Sequence, residues 1–171
     1  MDADQIAGAV AEWLPARIPA GWFAGPPEVA ADGEEILVVG RLAPPALPPG
    51  ASEATASAAR IKEFREHTRE QRMRIAVELE HRFGRRVSWG AACGDQRSLF
   101  TTLSVPVMTR LRMRERAVLD TLIEAGVARS RSDALAWCVR LVGTHQAEWI
   151  RDLQAALIAV KKVRAEGPTS G

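Results

Sequence analysis

Apolar residues recur at helical spacing over long stretches of this chain and alternate over short ones. Ile6, Val10, Trp13 and Leu14 fall on one helical face, so residues 3–17 read as a short amphipathic helix ended by Pro15 and Pro19. The apolar, β-branched run EEILVVGRL (34–42) comes after Asp32-Gly33, a hairpin-turn signal, and reads as a strand; the flank before the turn, PEVA, is a weaker partner. Ile61, Phe64, Ile75, Leu79 and Phe83 share one face of a long helix that Gly84 should stop, with Thr68 and Arg72 interrupting the stripe. Val87, Trp89 and Ala91 alternate with polar or small residues, as do Leu99, Thr101, Leu103 and Val105 beyond Gly94-Asp95, which predicts a hairpin over 86–105.

The last third is helical in pattern. Val118, Leu119, Leu122 and Ile123 mark one helix, stopped by Gly126. Leu135, Cys138, Val139 and Val142 mark a second, stopping near Gly143. Ile150, Leu153, Leu157 and Val160, spaced 3-4-3, mark a third with a short a/d seam whose default partner is the same chain. The segment APPALPPGASEATAS (43–57) carries four prolines and reads as a loop or linker. The pattern predicts an α+β chain: a small, mostly antiparallel sheet with a long helix, then a C-terminal helical module. The expected parts are an N-terminal α+β region of unassigned role over 1–105, the module over 106–166, and a frayed tail over 167–171.

Composition changes this picture in one respect. At 171 residues and 47% apolar content the chain can bury a real core, as one domain or two small ones. Its net charge of +2 hides an asymmetry: residues 1–59 hold two arginines against eight carboxylates and carry −6, leaving +8 for the remainder. A basic C-terminal two-thirds favours a polyanionic partner. The acidic start MDADQIAGAVAEWL lacks the positive opening of a signal peptide, and no run of 18 apolar residues occurs, so a cytoplasmic, membrane-free protein is expected.

Little in the sequence suggests catalysis. Cys93 and Cys138 have no metal-like spacing and read as small buried hydrophobes. His67 and His81 lie about 21 Å apart along the axis of a single helix, too far to share a metal, and His145 is remote. No phosphate-binding glycine motif is present. The five tryptophans, Trp13, Trp22, Trp89, Trp137 and Trp149, read as core or interface anchors. A non-enzyme with no catalytic residue, metal or cofactor is expected.

The stretch TRLRMRER (109–116) poses the functional question, and the residues after it decide the reading. Arg110, Arg112, Arg114 and Arg116 alternate with Leu111, Met113 and Glu115, which fits a strand with a cationic face or the basic flank of a helix. Beyond it the pattern gives a helix, a glycine turn, and a second helix opened by Ser130-Arg131-Ser132-Asp133. There Ser130 would accept from the Asp133 amide, and Asp133 would sit at the positive helix end. The exposed amides of that first turn can hold a phosphate, with Arg129 and Arg131 beside them.

Over about 107–143, through Leu119-Asp120, Leu122, Glu124-Ala125-Gly126 and Arg131-Ser132-Asp133-Ala134-Leu135, the chain resembles the ribbon-helix-helix family of DNA-binding proteins. The resemblance implies a ribbon-helix-helix-like module in which one strand from each of two subunits pairs into an antiparallel ribbon lying in the DNA major groove. It also implies that the start of the second helix clamps backbone phosphate. Two registers fit. The first places the strand at Val107–Met113, with Val107, Thr109, Leu111 and Met113 towards the core and Met108, Arg110 and Arg112 towards the groove. Arginine there can pair with guanine O6 and N7. The family's strands often end in proline just before the first helix, whereas Pro106 comes earlier in this register. The second places the strand at Phe100–Val105, with Phe100, Thr102 and Ser104 towards the groove and a first helix over about 107–125.

The resemblance therefore implies a dimeric DNA-binding protein, a transcriptional regulator or chromosome-associated factor. Its partners would be double-stranded DNA, a second copy of itself and another protein at the C-terminal helix. Groove contacts would fall to Met108, Arg110 and Arg112, and phosphate contacts to Arg129, Ser130, Arg131 and Ser132. Two rivals stand beside it: a protein-interaction module, as an antitoxin or assembly adaptor, whose helices dimerise without DNA, and a small-ligand sensor with a pocket near Trp22 and Trp89.

Overall fold

Helix α1 (Ala3–Trp13) is held at its start by a reciprocal cap: the Asp2 carboxylate accepts from the Gln5 amide and the Gln5 side chain accepts from the Asp2 amide, both at 2.9 Å. Pro15 tightens the chain into a single 3-10 turn at Leu14–Ala16, so the helix closes short of residue 17. Ile6, Val10 and Leu14 are buried. The computed structural model describes residues 1–46, 50 and 52–167. It is α+β and divides into two compact units, Met1–Pro106 and Val107–Gly171.

In the first unit the Asp32-Gly33 turn joins β1 (Glu28–Ala31) to β2 (Glu35–Arg41) in an antiparallel hairpin. Asp32 Oδ1 accepts from the amides of Glu34 and Glu35 at 2.8 and 2.7 Å, and these bonds hold its carboxyl below the usual range. A second hairpin, β3 (Arg86–Cys93) with β4 (Gln96–Leu99), turns at Gly94-Asp95. Its outer strand ends at Leu99 rather than reaching residue 105. The sheet order is β1-β2-β3-β4, and the two hairpins meet through a parallel β2–β3 pair, with Ile36 opposite Val87 and Val38 opposite Trp89. The sheet is mixed, and antiparallel in its two outer pairings.

A parallel pair needs a crossover, and the helices between β2 and β3 supply it. The expected single helix is two, α2 (Glu53–His67) and α3 (Arg69–Phe83), divided at Thr68. The stripe-breaking residues make the break. Thr68 Oγ1 donates to the Phe64 carbonyl at 2.6 Å, Arg72 Nε donates to Thr68 Oγ1 at 2.9 Å, and Arg72 Nη2 donates to the Arg65 carbonyl at 2.7 Å. The Arg72 guanidinium lies 4.6 Å from the Phe100 ring centroid, and burial pushes its pKa down to about 10. His67 and His81 thus sit on different helices. Because α2 begins at Glu53, residues 53–57 of the expected loop are helical; residues 47–49 and 51 lie outside the described residues, as do 168–171 of the expected tail.

The core of this unit lies on one sheet face, where Ile36, Val38, Trp89 and Ala91 meet Ile61, Phe64, Ile75 and Leu79 of α2 and α3. Trp22 packs edge-on against Trp89 and Phe64, at 6.4 and 5.4 Å between centroids. Cys93 is buried. Gly40 lets a ring lie directly on the backbone, since a Cβ there would come within 1.9 Å of Phe23 Cε1. Among the described residues no helix is long and apolar enough to cross a membrane.

Candidate nucleic-acid interface

The described residues of the second unit form three helices, α4 (Met113–Glu124), α5 (Arg131–His145) and α6 (Ala147–Glu166). Helix α4 is closed off by Gly126, two residues past its last turn, whose φ of 73° is the left-handed conformation glycine tolerates. The Gly126 amide donates to the Ile123 carbonyl at 3.0 Å and the Val127 amide to the Leu122 carbonyl at 3.0 Å, a Schellman closure. Ser130 then caps α5: its Oγ accepts from the Asp133 amide at 3.2 Å, and the Asp133 carboxylate accepts from the Arg129 amide at 3.0 Å. Gly143 does not stop α5, which runs on to His145 before Gln146 separates it from α6.

Residues 101–112 have no regular secondary structure, and α4 begins only at Met113. This overturns the second register twice over. Residues 107–112 are not helical, and Phe100 is 8% exposed, packed against Phe64 in the first unit's core, so it cannot face a DNA groove. The first register also loses its last residue, because Met113 opens a helix. Within the segment Leu111 packs against the core of the second unit, while its carbonyl accepts from Arg116 Nη1 at 2.8 Å. Val107, Met108, Thr109, Arg110 and Arg112 are exposed, Met108 by 97%. Among the described residues the side chains of Arg110, Arg112 and Arg114 make no hydrogen bond or ion pair, so three guanidinium groups stand in water without a counter-charge. A groove of about 350 Å³ runs beside this segment, between Val107, Thr109 and Leu111 and the side chains of Leu119, Arg131 and Leu135.

The expected phosphate residues converge at the start of α5 but are unequally available. Arg129 is exposed and lies 3.8 Å from the Asp133 carboxylate. Ser130 uses its hydroxyl as the cap, and Ser132 is exposed. Arg131 is committed to another partner: its Nε and Nη2 donate to the two carboxylate oxygens of Asp120 on α4, at 2.7 and 2.8 Å. The paired bond holds the Asp120 carboxyl below its usual range and raises the guanidinium above its own. Arg131 therefore braces α4 against α5, a role that sequence reasoning misses. Its one sign in the sequence is Asp120 in the Leu119-Asp120 dipeptide.

The buried core of this unit is small. Leu119, Ala128 and Ala134 are buried, with Leu111, Leu122, Ile123, Leu135 and Cys138 packed around them. Val118, Val139 and Val142 are exposed, and α6 buries no residue at all. Trp149, expected to be an anchor, is 57% exposed. Among the described residues no group of three or more His, Cys, Asp or Glu side chains could hold a metal ion.

Two family models match the chain: the N-terminal domain of Rv1265-like protein over residues 8–99, and the Mb1296 C-terminal domain over residues 112–164. The chain is 52% identical over 162 residues to "Uncharacterized protein Mb1296" of Mycobacterium bovis, an alignment covering 95% of this chain and 71% of that protein. It is equally similar, with the same coverage, to "Uncharacterized protein Rv1265" of Mycobacterium tuberculosis. No solved structure matches it.

Proposed function

We propose that this chain, which belongs to the Rv1265-like family, is a dimeric DNA-binding protein of the cytoplasm whose second unit works in the manner of a ribbon-helix-helix module. It would serve as a transcriptional regulator or chromosome-associated factor and would catalyse nothing. The observation that carries the reading is the run of unpaired arginines on a non-helical segment placed directly ahead of α4. Arg110 and Arg112 are exposed without counter-charges, while Leu111 between them is held by the core. Two copies of residues 107–112 pair as an antiparallel ribbon, which satisfies their backbone groups and covers Val107 and Thr109. Met108, Arg110 and Arg112 then enter the major groove. The first turn of α5, with Arg129, Ser130 and Ser132, lies against backbone phosphate, its free amides and positive dipole end supplying the attraction. Arg131 contributes through its brace to Asp120.

The test is fluorescence anisotropy with duplex DNA across several salt concentrations, wild type beside Arg110→Ala/Arg112→Ala. Each phosphate contact adds about 0.9 to the slope of log affinity against log salt. Removing two arginines from each of two copies lowers that slope by up to about 3.6 if all four neutralise phosphate. Base contacts would lower affinity with less change of slope. Unchanged affinity and slope would refute the assignment.

A second reading is favoured by α6, an exposed amphipathic helix with no buried residue. In it the helical unit serves protein contacts alone, as an antitoxin or assembly adaptor does. Its signature is a stable dimer whose anisotropy signal stays weak and flat on generic duplex and genomic fragments, for wild type and variant alike.

A further inference from the structure

Helix α6 is 20 residues long, about 30 Å, and every residue from Arg151 to Glu166 is exposed. All its large apolar residues but Ile158, which is 66% exposed on another face, fall together. Trp149, Ile150, Leu153, Leu157, Val160 and Val163 form one stripe, with Ala156 on the same face. With Ile150 and Leu157 at a, and Leu153 and Val160 at d, Trp149, Ala156 and Val163 fall at g. Leu153, Leu157 and Val160 are 44%, 54% and 50% exposed, and Trp149 and Val163 57% and 67%. An a/d/g stripe of this kind is the surface of a helix made to lie against another helix.

The charges select the occupant and its direction. The next a position is Arg164, and the d position before Ile150 is Gln146. Two parallel copies in register would place Arg164 on Arg164 inside the seam. Two antiparallel copies instead form a-to-d layers: Ile150 on Val160, Leu153 on Leu157, and Arg164 on Gln146. Trp149 then covers Val163 at the flank. The net charges agree. Residues 147–156 carry Glu148, Arg151 and Asp152, for −1, and residues 157–166 carry Lys161, Lys162, Arg164 and Glu166, for +2. Antiparallel pairing sets unlike ends together and opposes the helix dipoles, whereas parallel pairing sets like ends together.

We propose that α6 pairs with α6 of a second copy of this chain as an antiparallel two-helix seam centred between Leu153 and Leu157. The seam is short for an isolated coiled coil, so its strength comes from tethering: it rests on the self-association proposed for the ribbon, which raises the effective concentration of one α6 at the other. It does not depend on DNA binding. Its consequence is a second interface, separate from the ribbon, that locks the dimer.

The experiment mixes two full-length chains of different mass, Ile150→Cys and Val160→Cys, each with Cys138→Ser, the remaining Cys93 being buried. After mild oxidation the disulfide-linked products are separated by mass, beside sedimentation of the unoxidised mixture. An antiparallel seam yields mainly the mixed 150–160 product, several-fold above an Arg151→Cys control. Predominance of 150–150 and 160–160 products overturns the direction proposed. No product above the control overturns the seam, and sedimentation then separates the two failures: dimers leave the ribbon pairing standing, and monomers remove both.

Discussion

The second unit stands on so small a core that one side chain should control it. Leu119 on α4 is 4% exposed, and the other buried apolar residues around it are two alanines, Ala128 and Ala134. Leu119→Ala removes three carbons from water-excluded contact, roughly 2.4 kcal/mol at 0.8 per methylene-sized group. The cavity left behind brings the loss to about 3–5 kcal/mol, because Leu122, Leu135 and the Arg131–Asp120 brace keep the helices from closing onto it. The assay is amide hydrogen exchange read by mass spectrometry on peptides spanning α4 and α5. The variant's opening free energy should fall by that amount, or protection should vanish where the unit holds less than that in total. A companion observation on the wild type tests self-association. If the unit is stable only as a dimer, tenfold dilution lowers the opening free energy by about 0.7 kcal/mol per chain, half the 1.4 kcal/mol of the dimer equilibrium. A loss under about 1 kcal/mol in the variant would show that Leu119 does not hold the two helices together.

Two further predictions rest on single contacts. Gly40→Ala drives a methyl into the Phe23 ring and displaces it from Trp22 and Phe64, so it should cost about 1–3 kcal/mol in chemical denaturation; the same change made in Phe23→Ala should cost far less, and an equal cost in both backgrounds would show that the ring is not the obstacle. The Asp120 carboxyl, held by Arg131 below its ordinary 3.8, stabilises the fold above that value and loses its contribution as pH falls through its lower folded value. Helix protection in the second unit should therefore drop on strong acidification, less steeply in Asp120→Asn and at high salt, and identical pH profiles for the two proteins would exclude the brace.

The features legible in the sequence are those that short-range chemistry decides. Asp32-Gly33 and Gly94-Asp95 specify their turns by themselves, and the two hairpins stand where those dipeptides put them. The Ser130 cap and the Gly126 stop are equally local. The break at Thr68 is visible in the sequence but easily misread. Two polar residues in an apolar stripe look like blemishes on one helix, yet both are buried and bond to each other and to the backbone. The parallel β2–β3 pair is out of reach, since nothing in either strand names a neighbour that lies more than 40 residues away across two helices.

The arginine stretch is illegible for a different reason. A two-residue period over TRLRMRER suits a strand, yet a strand exists only with a partner, and for residues 107–112 the described chain offers none. The boundary comes from what the neighbouring side chains can bury. Leu111 reaches the core from a non-helical backbone, whereas Leu119 and Leu122 reach it from the helix that starts two residues later. Arg110 and Arg112 are left outside by the same geometry that pulls Leu111 in. Their exposure is thus a consequence of the α4–α5 packing, and it is also why the proposed DNA contact needs no rearrangement of the helices: pairing orders the segment, and the arginines already face water.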